Sequence, residues 1–178
     1  VANNTVLLIG EQLGIGYMLY KNFLTMDNVE ITVPKGKTLE FIICDYGTIK
    51  DYDNVVLKNI TIKGGGQVSF ISGGSIAVNS IKSVDNSRIL FIANKNLNMS
   101  DPFINADKQL DGGCFLSSAG NMQMLVSSNA AAAFYGQMQS AGLISIGGQS
   151  GGTGKLVLRF NKIGEKLKMP NMYYLKAA

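Results

Sequence analysis

Residues 72–98 read SGGSIAVNSIKSVDNSRILFIANKNLN, and this stretch decides the fold class. Short apolar runs at 75–78 and 88–93 alternate with one to four residues rich in Asn, Asp or Gly. Apolar runs of this length predict strands, whereas Gly, Asn and Asp tolerate the backbone angles that end them. The stretch therefore predicts many short strands separated by tight turns.

The same pattern continues in both directions along the chain. Residues 29–33 and 55–62 have apolar side chains at strand spacing, as a half-buried strand requires. Further strands are predicted at 38–44, 67–71, 114–117, 122–126, 143–146 and 155–160. No Asn-Gly or Asp-Gly dipeptide, the usual hairpin signal, joins two alternating runs. The pattern therefore favours stacked turns over a β-sandwich, which is the alternative, with short helices as candidates at 16–26 and 128–139.

Three stretches carry a family resemblance. VEITVPKGKTLEFI at 29–42, NVVLKNITIKGGG at 54–66 and SRILFIANKNLN at 87–98 resemble the rungs of right-handed parallel β-helices found in phage tailspikes, pectate-lyase-like enzymes and surface adhesins. The resemblance implies an all-β fold of parallel β-helix or β-solenoid type. It also implies a protein of tailspike, tail-fibre or adhesin type.

Composition divides the chain into four segments. We predict an N-terminal segment at 1–27, a solenoid-like body at 28–116, a charge-free region at 117–154 and a basic segment at 155–178. So long an uncharged stretch predicts burial in an interface between copies, with a trimer favoured. The alternative is an uncharged pair of core strands followed by a Gly-rich loop. Because the chain begins with Val1, we expect a processed chain or a fragment.

The absence of histidine excludes several chemistries. Histidine is the commonest general base and the commonest transition-metal ligand, and the chain has none and has two cysteines. We therefore predict neither a metal site nor a cofactor. Cys44 and Cys114 lie in apolar runs, which is typical of buried small side chains, although a disulfide between them is left open. No run approaches the roughly 18 apolar residues of a membrane span, so no membrane insertion is expected.

The net charge of +4 belongs to the end of the chain. Residues 155–178 hold six basic residues and one acidic residue. Three interpretations compete: a nucleic-acid surface, a surface for an anionic glycan, and a solvated strand and turn. The chain has two arginines, and arginine dominates phosphate and base recognition, so nucleic acid is the least favoured partner.

The candidate site residues are aspartates, tyrosines and lysines. Paired carboxylates are able to hydrolyse glycosides, but aspartate is also a frequent turn residue, and the turn role is favoured. The catalytic candidates are Asp51, Asp53, Asp101 and Asp107, and the ligand-binding candidates are Tyr46, Tyr52, Lys162, Lys166, Lys168, Tyr173 and Tyr174.

These observations favour a structural module without a catalytic role, which recognises a receptor or a cell-surface polysaccharide on a virion or at a cell surface. One alternative is a carbohydrate-cleaving β-helix, a depolymerase or lyase that uses aspartates. A second alternative is a nucleic-acid-binding β protein that uses its basic tail.

Overall fold

The computed structural model describes residues 6–8, 15–20, 23–43, 54–104, 112–127, 129–148 and 152–168. In these ranges the chain forms fifteen strands and one turn of 3-10 helix. The strands are β1 (Val6–Leu8), β2 (Ile15–Tyr20), β3 (Phe23–Thr32), β4 (Thr38–Ile43), β5 (Asn54–Lys63), β6 (Gln67–Ser72), β7 (Ile76–Ser83), β8 (Arg88–Ala93), β9 (Leu97–Ser100), β10 (Phe103–Ile104), β11 (Gly113–Ser118), β12 (Met122–Val126), β13 (Ala131–Ser140), β14 (Ile144–Gly148) and β15 (Lys155–Phe160), and the 3-10 turn is Ile163–Lys166.

The pairing of the strands defines a parallel β-solenoid. Every pairing between the described strands is parallel. Val55 pairs with Ile76 and Ile76 pairs with Leu97, so the chain returns to the same position after 21 residues. The prediction of an all-β, solenoid-like fold is confirmed, and the β-sandwich alternative is wrong, because a sandwich is built from antiparallel strands.

Each turn of the solenoid contributes three strand segments, and stacked segments form three faces. The first face contains 23–27, 54–58, 76–79, β9, β12 and β14. The second face contains β1, 29–32, 60–63, 81–83, β10, 131–135 and β15. The third face contains β2, β4, β6, β8, β11 and 136–140. The strand pairing thus continues through the charge-free region and into the basic segment.

The corner between the first and second faces is made by short polar residues. Asn28, Asn59, Ser80 and Asp101 all have positive φ angles, between 49° and 60°. They follow residues that pair in register from turn to turn. Asn and Asp, which occupy three of the four positions, adopt this left-handed conformation at low cost because their short side chains bond to nearby backbone. The same bend is therefore repeated at one position around the solenoid axis in successive turns.

The core is a set of apolar rows that run along the solenoid axis. Phe41, Phe70 and Phe91 lie in register on the third face, with ring centroids 5.0 and 5.3 Å apart and nearly parallel planes. Cys114, on the next strand of this face, is a buried free thiol, as a small core side chain should be. Cys44 lies outside the described residues. In each row, apolar side chains of successive turns pack on one another, and together the rows form one continuous core.

A ladder of polar side chains links the turns where the third face leads into the first. The backbone N–H of Ser75 donates to Asn54 Oδ1 at 2.8 Å, and that of Asn96 donates to Ser75 Oγ at 3.3 Å. The N–H of Asn121 then donates to Asn96 Oδ1 at 2.9 Å, and that of Leu143 to Asn121 Oδ1 at 3.0 Å. Each turn thus satisfies a backbone donor with a side chain of the preceding turn.

The two segments considered as helices are strands. Residues 16–26 fall mainly in β2 and β3, and the alanine run falls in β13. Ala132 is inward-facing and buried, and Gly136 packs so closely that a Cβ there would lie 1.8 Å from the carbonyl oxygen of Cys114. Small residues are needed for this close packing, so tertiary contacts override the helix propensity of alanine. Within the described ranges, no helix has the length and apolar character needed to cross a bilayer.

Candidate ligand-binding cleft

The chain leaves the solenoid after β15 and folds back across the outer side of the third face. We call residues 161–168 the strap. The Gln67 side chain donates from Nε2 to the carbonyl of Lys168 at 2.7 Å and accepts at Oε1 from its N–H at 2.8 Å. Arg88 donates to the carbonyl of Lys166 at 2.7 Å. Side chains of two neighbouring strands therefore bind the strap through its backbone.

Apolar contacts also hold the strap on the third face. Ile163 and Leu167 are buried against Leu90 and Phe115 of the third face, and Ile92 packs beside them. Full burial of an aliphatic side chain contributes about 1.5–3 kcal/mol, so these contacts hold the strap independently of its charges. Both sides of this part of the third face are consequently covered.

A cleft of about 420 Å³ lies between the strap and the solenoid. Its lining comprises Phe115, Gln137, Asn161, Lys162, Gly164 and Glu165. Phe115 pairs in register with Gln137, so two successive turns form its floor, and the strap forms its wall. This volume falls within the range of about 300–1,000 Å³ typical of small-molecule sites.

The most distinctive group in the cleft is the side-chain amide of Asn161. Its Nδ2 and Oδ1 atoms are both buried, and neither has a hydrogen-bond partner among the described residues. A buried polar group without a partner costs about 1–3 kcal/mol, and such groups are rare in folded proteins. Because both atoms have almost no accessible surface, the unmade hydrogen bonds of this amide are an energetic cost of the fold and are out of reach of a molecule in the cleft.

The strap approaches the floor closely at Gly164. A Cβ at this position would lie 3.0 Å from Gln137 Oε1 and 3.3 Å from Phe115 Cε2. A larger residue would require the Gln137 side chain or the Phe115 ring to shift by a few tenths of an ångström. Gly164 therefore allows the strap to pack directly against side chains of β11 and β13.

The charges that line the cleft cancel. Lys162 Nζ lies 3.6 Å from Glu165 Oε1, and both side chains are largely exposed. A pair this exposed contributes little to stability, but it leaves the rim without a net charge. The cleft thus offers the Gln137 amide, one aromatic edge and an ion pair without net charge.

One buried carboxyl group lies on the outer side of the third face, beyond the cleft. Glu40 is almost fully buried, and its burial raises the pKa of the carboxyl group, an effect that the positive charge of Lys168 partly opposes. Burial likewise raises the pKa of the Cys114 thiol well above its ordinary value. Cys114 therefore stays a neutral thiol and is not poised to act as a nucleophile.

Of the four predicted catalytic aspartates, the structure describes Asp101. Its carboxylate accepts from the backbone N–H of Ser127 at 2.7 Å and from the Ser127 hydroxyl. Together with its positive φ, these bonds identify Asp101 as a corner residue that joins two turns. Asp51, Asp53 and Asp107 lie outside the described residues, as do Tyr46, Tyr52, Tyr173 and Tyr174.

The three predicted lysines all lie in the strap. Lys162 lines the cleft, whereas Lys166 and Lys168 engage Arg88 and Gln67 through backbone atoms. Sequence reasoning missed Phe115, Gln137, Asn161 and Glu165, because residues so far apart meet only through the solenoid register and the strap. The 22-residue interval from Phe115 to Gln137, close to the 21-residue repeat, is the signal that was available.

In the last described turn, the first face exposes apolar side chains. Ile144 and Ile146 continue the inward rows of Met122 and Met124, yet each is 40% exposed, and Leu143 is 70% exposed. All five residues of β14 are exposed, and no described strand pairs with its far edge. We call residues 143–148 the open end.

The fold and the cleft define the class of the protein, a parallel β-solenoid closed on one face by a C-terminal strap. No family model matches the chain, and neither the curated proteins nor the solved structures contain a significant match. In the part of the chain that the structure describes, no three His, Cys, Asp or Glu residues are grouped closely enough to hold a metal.

Proposed function

We propose that this chain is a structural and recognition module without a catalytic role, of the kind present in phage tailspikes, tail fibres and surface adhesins. It assembles with copies of itself and presents the sides of the solenoid to a receptor or a polysaccharide on a cell surface. Its place is then on a virion or at a cell surface. The open end is the observation that carries the proposal.

An exposed parallel edge with apolar neighbours is a pairing surface. Unpaired strand edges associate readily unless charges, prolines or bulges protect them. Residues 143–148 contain no charged residue and no proline, whereas β15 carries Lys155 and Arg159. The open end is therefore unprotected at β14. Assembly would bury Ile144 and Ile146, just as Met122 and Met124, which precede them in the same rows, are already buried.

The engagement of Asp101 supports a module without catalysis. A general acid or base must reach a substrate proton, and both carboxylate oxygens of Asp101 are occupied by Ser127. Its role in the corner explains its presence in the sequence. The rigid, ladder-linked turns are suited to displaying a surface in a fixed geometry.

Sedimentation velocity or light scattering of the full chain tests the assembly. We expect a homo-oligomer, with three copies of the 19.1 kDa chain as the expected mass. Ile146→Lys should yield a folded monomer, because it places a charge in the interface. Leu125→Lys is the matched control: Leu125 is 37% exposed, close to the 40% of Ile146, but lies on the outer side of the first face.

The two variants distinguish an interface at the open end from one on the side of the solenoid. Oligomers that survive Ile146→Lys but dissociate with Leu125→Lys would move the interface to the side of the solenoid. A wild-type chain that remains monomeric at high concentration would overturn the proposed assembly.

A further inference from the structure

We propose that the outer surface of the second face binds an acidic polysaccharide, whose charge is carried by carboxylate or sulfate groups. This inference rests on the proposed recognition function and names the surface and the class of ligand. The surface belongs to four neighbouring strand segments of the second face, β7, β10, 131–135 and β15. We call it the basic stripe, and its members are Lys82, Phe103, Ala133, Lys155, Val157 and Arg159.

An exposed phenylalanine lies in the middle of the basic stripe. Phe103 is 43% exposed and pairs in register with Lys82 on one side and with Ala133 on the other. Ala133 pairs in turn with Val157, which is 48% exposed. Because neighbouring strands lie about 4.8 Å apart, these residues form a row about 14 Å long. The aromatic ring offers a flat apolar surface on which the C–H groups of a sugar ring can pack.

Three cations surround this row. Lys82 lies at one end of it, and Lys155 and Arg159 lie two residues to either side of Val157 on β15. Side chains two residues apart on a strand leave the same side of the sheet, so all three cations belong to one surface. All three side chains are exposed, and no described carboxylate forms an ion pair with Lys82 or Lys155.

The strands of the basic stripe carry no negative charge. None of β7, β10, β13 and β15 contains an acidic residue. Asp101, which precedes β10, directs its carboxylate to Ser127. Farther along the second face, Glu30 is paired with Lys63 at 2.6 Å. The charge that complements the basic stripe is therefore that of an anionic ligand.

Arg159 is positioned before a ligand arrives. Its guanidinium donates to the hydroxyl of Tyr135 and lies 5.0 Å from the centroid of the Tyr135 ring. A guanidinium has five N–H donors, so donors remain for a carboxylate or a sulfate, which arginine binds with two parallel hydrogen bonds. A side chain that is already held loses less conformational freedom on binding.

The composition of the basic stripe distinguishes an acidic polysaccharide from the other polymers considered. A neutral polysaccharide gains nothing from the three cations. Proteins that bind single-stranded nucleic acid stack successive bases on several aromatic side chains, and the basic stripe has one, Phe103. An acidic polysaccharide uses both features, because its sugar rings pack on the aromatic surface while its acidic groups bind the flanking cations.

The direct test is isothermal titration calorimetry of the full chain with four short probes: hexagalacturonate, a chondroitin sulfate hexasaccharide, maltohexaose and an oligothymidylate. We expect at least one acidic hexasaccharide to bind with a Kd of about 1 mM or tighter. Its affinity should fall as the salt concentration rises from about 50 to about 300 mM, because exposed charges are screened. Absence of binding by both acidic probes would overturn the inference, as would equal binding of maltohexaose or tighter binding of the oligothymidylate.

Two variants with matched controls locate the surface. Phe103→Ala should weaken binding of the acidic probe at least about threefold, and Lys82→Gln should weaken it about two- to fivefold. Phe23→Ala and Lys58→Gln make the same changes at exposed positions of the first face and should leave the affinity unchanged. Thermal unfolding of all four variants should match the wild type, because each side chain is exposed. Equal losses in the variants and their controls would contradict the proposed surface.

Failure of this inference differs from failure of the proposed function. Phe103→Ala should sediment like the wild-type chain, and Ile146→Lys should bind the acidic hexasaccharide as the wild type does. Polysaccharide binding that is insensitive to Phe103→Ala and Lys82→Gln refutes the basic stripe and leaves the recognition function in place. A wild-type monomer whose binding depends on Phe103 and Lys82 refutes the assembly alone.

Discussion

Asn54, Ser75, Asn96 and Asn121 occupy one position in successive turns, where each side-chain oxygen accepts a hydrogen bond from the next turn. The sequence predicted that such residues end strands, because Asn and Gly punctuate the apolar runs. It did not show that they bond to one another, because the ladder appears only when the turns are aligned. Insertions between residues 28 and 54 and between 104 and 112 hide that alignment.

Asn96→Ala tests the ladder in its middle. It leaves the N–H of Asn121 without its side-chain acceptor, so we expect a loss of about 1 kcal/mol. For a chain of this size that corresponds to a fall in Tm of about 2–4 °C. Asn98→Ala, two residues along on the exposed side of β9, is the matched control and should leave Tm within a degree. Equal effects of the two substitutions would show that the ladder contributes nothing specific.

Among the elements, β13 and the strap depart most from what their sequences suggest. The alanines of β13 are strong helix formers, but they pair in register with β15 as a strand, and the contact of Gly136 with β11 leaves no room for a side chain. The strap is basic, and its charge left three roles open: a nucleic-acid surface, a glycan surface and a solvated strand and turn. Its apolar residues Ile163 and Leu167 hold it on the solenoid, while its lysines stay exposed.

Glu40 gives a pH-dependent test of the third face. Burial raises the pKa of its carboxyl group in the folded state, so the protonated form is the one that folding favours. The contribution of Glu40 is therefore fully present below the unfolded pKa, about 4.3, and is lost as the pH rises through the raised folded value. Glu40→Gln should remove this loss, so the variant should unfold at a higher temperature than the wild type at pH 7 and match it more closely near pH 4.

The control for this change is Glu30→Gln. Glu30 lies 37% exposed and 2.6 Å from Lys63, so neutralising it removes an attractive contact and should slightly lower Tm at pH 7. Thermal unfolding followed by circular dichroism between pH 4 and 8 measures both variants. A Glu40→Gln chain that is less stable than the wild type at pH 7 would show that Lys168 outweighs the cost of burial.

At the scale of the whole molecule, each turn contacts only the turns beside it. The solenoid fold could be predicted from the sequence because one residue pattern is repeated in every turn. That pattern consists of short apolar runs separated by polar corners, without hairpin signals. The sequence also predicted a boundary between segments near residue 116, on the basis of charge. The pairing of β8 with β11 and of β11 with β13 includes residues on both sides of that position.

The nearest-neighbour architecture predicts a gradient of local stability that assembly should reverse at one end. Terminal turns of a solenoid have a neighbour on one side and open at a lower free energy than central turns. In dilute protein, hydrogen exchange measured by mass spectrometry should therefore be fast in β14 and slow in β6 and β8. Raising the protein concentration should slow exchange in residues 144–148 at least tenfold if copies pair with the open end, while the strap serves as the internal control and should not respond. If exchange instead slows in other strands of the first face while β14 is unchanged, the interface lies on the side of the solenoid. The reason is that exchange slows at whichever amides the assembled chains cover.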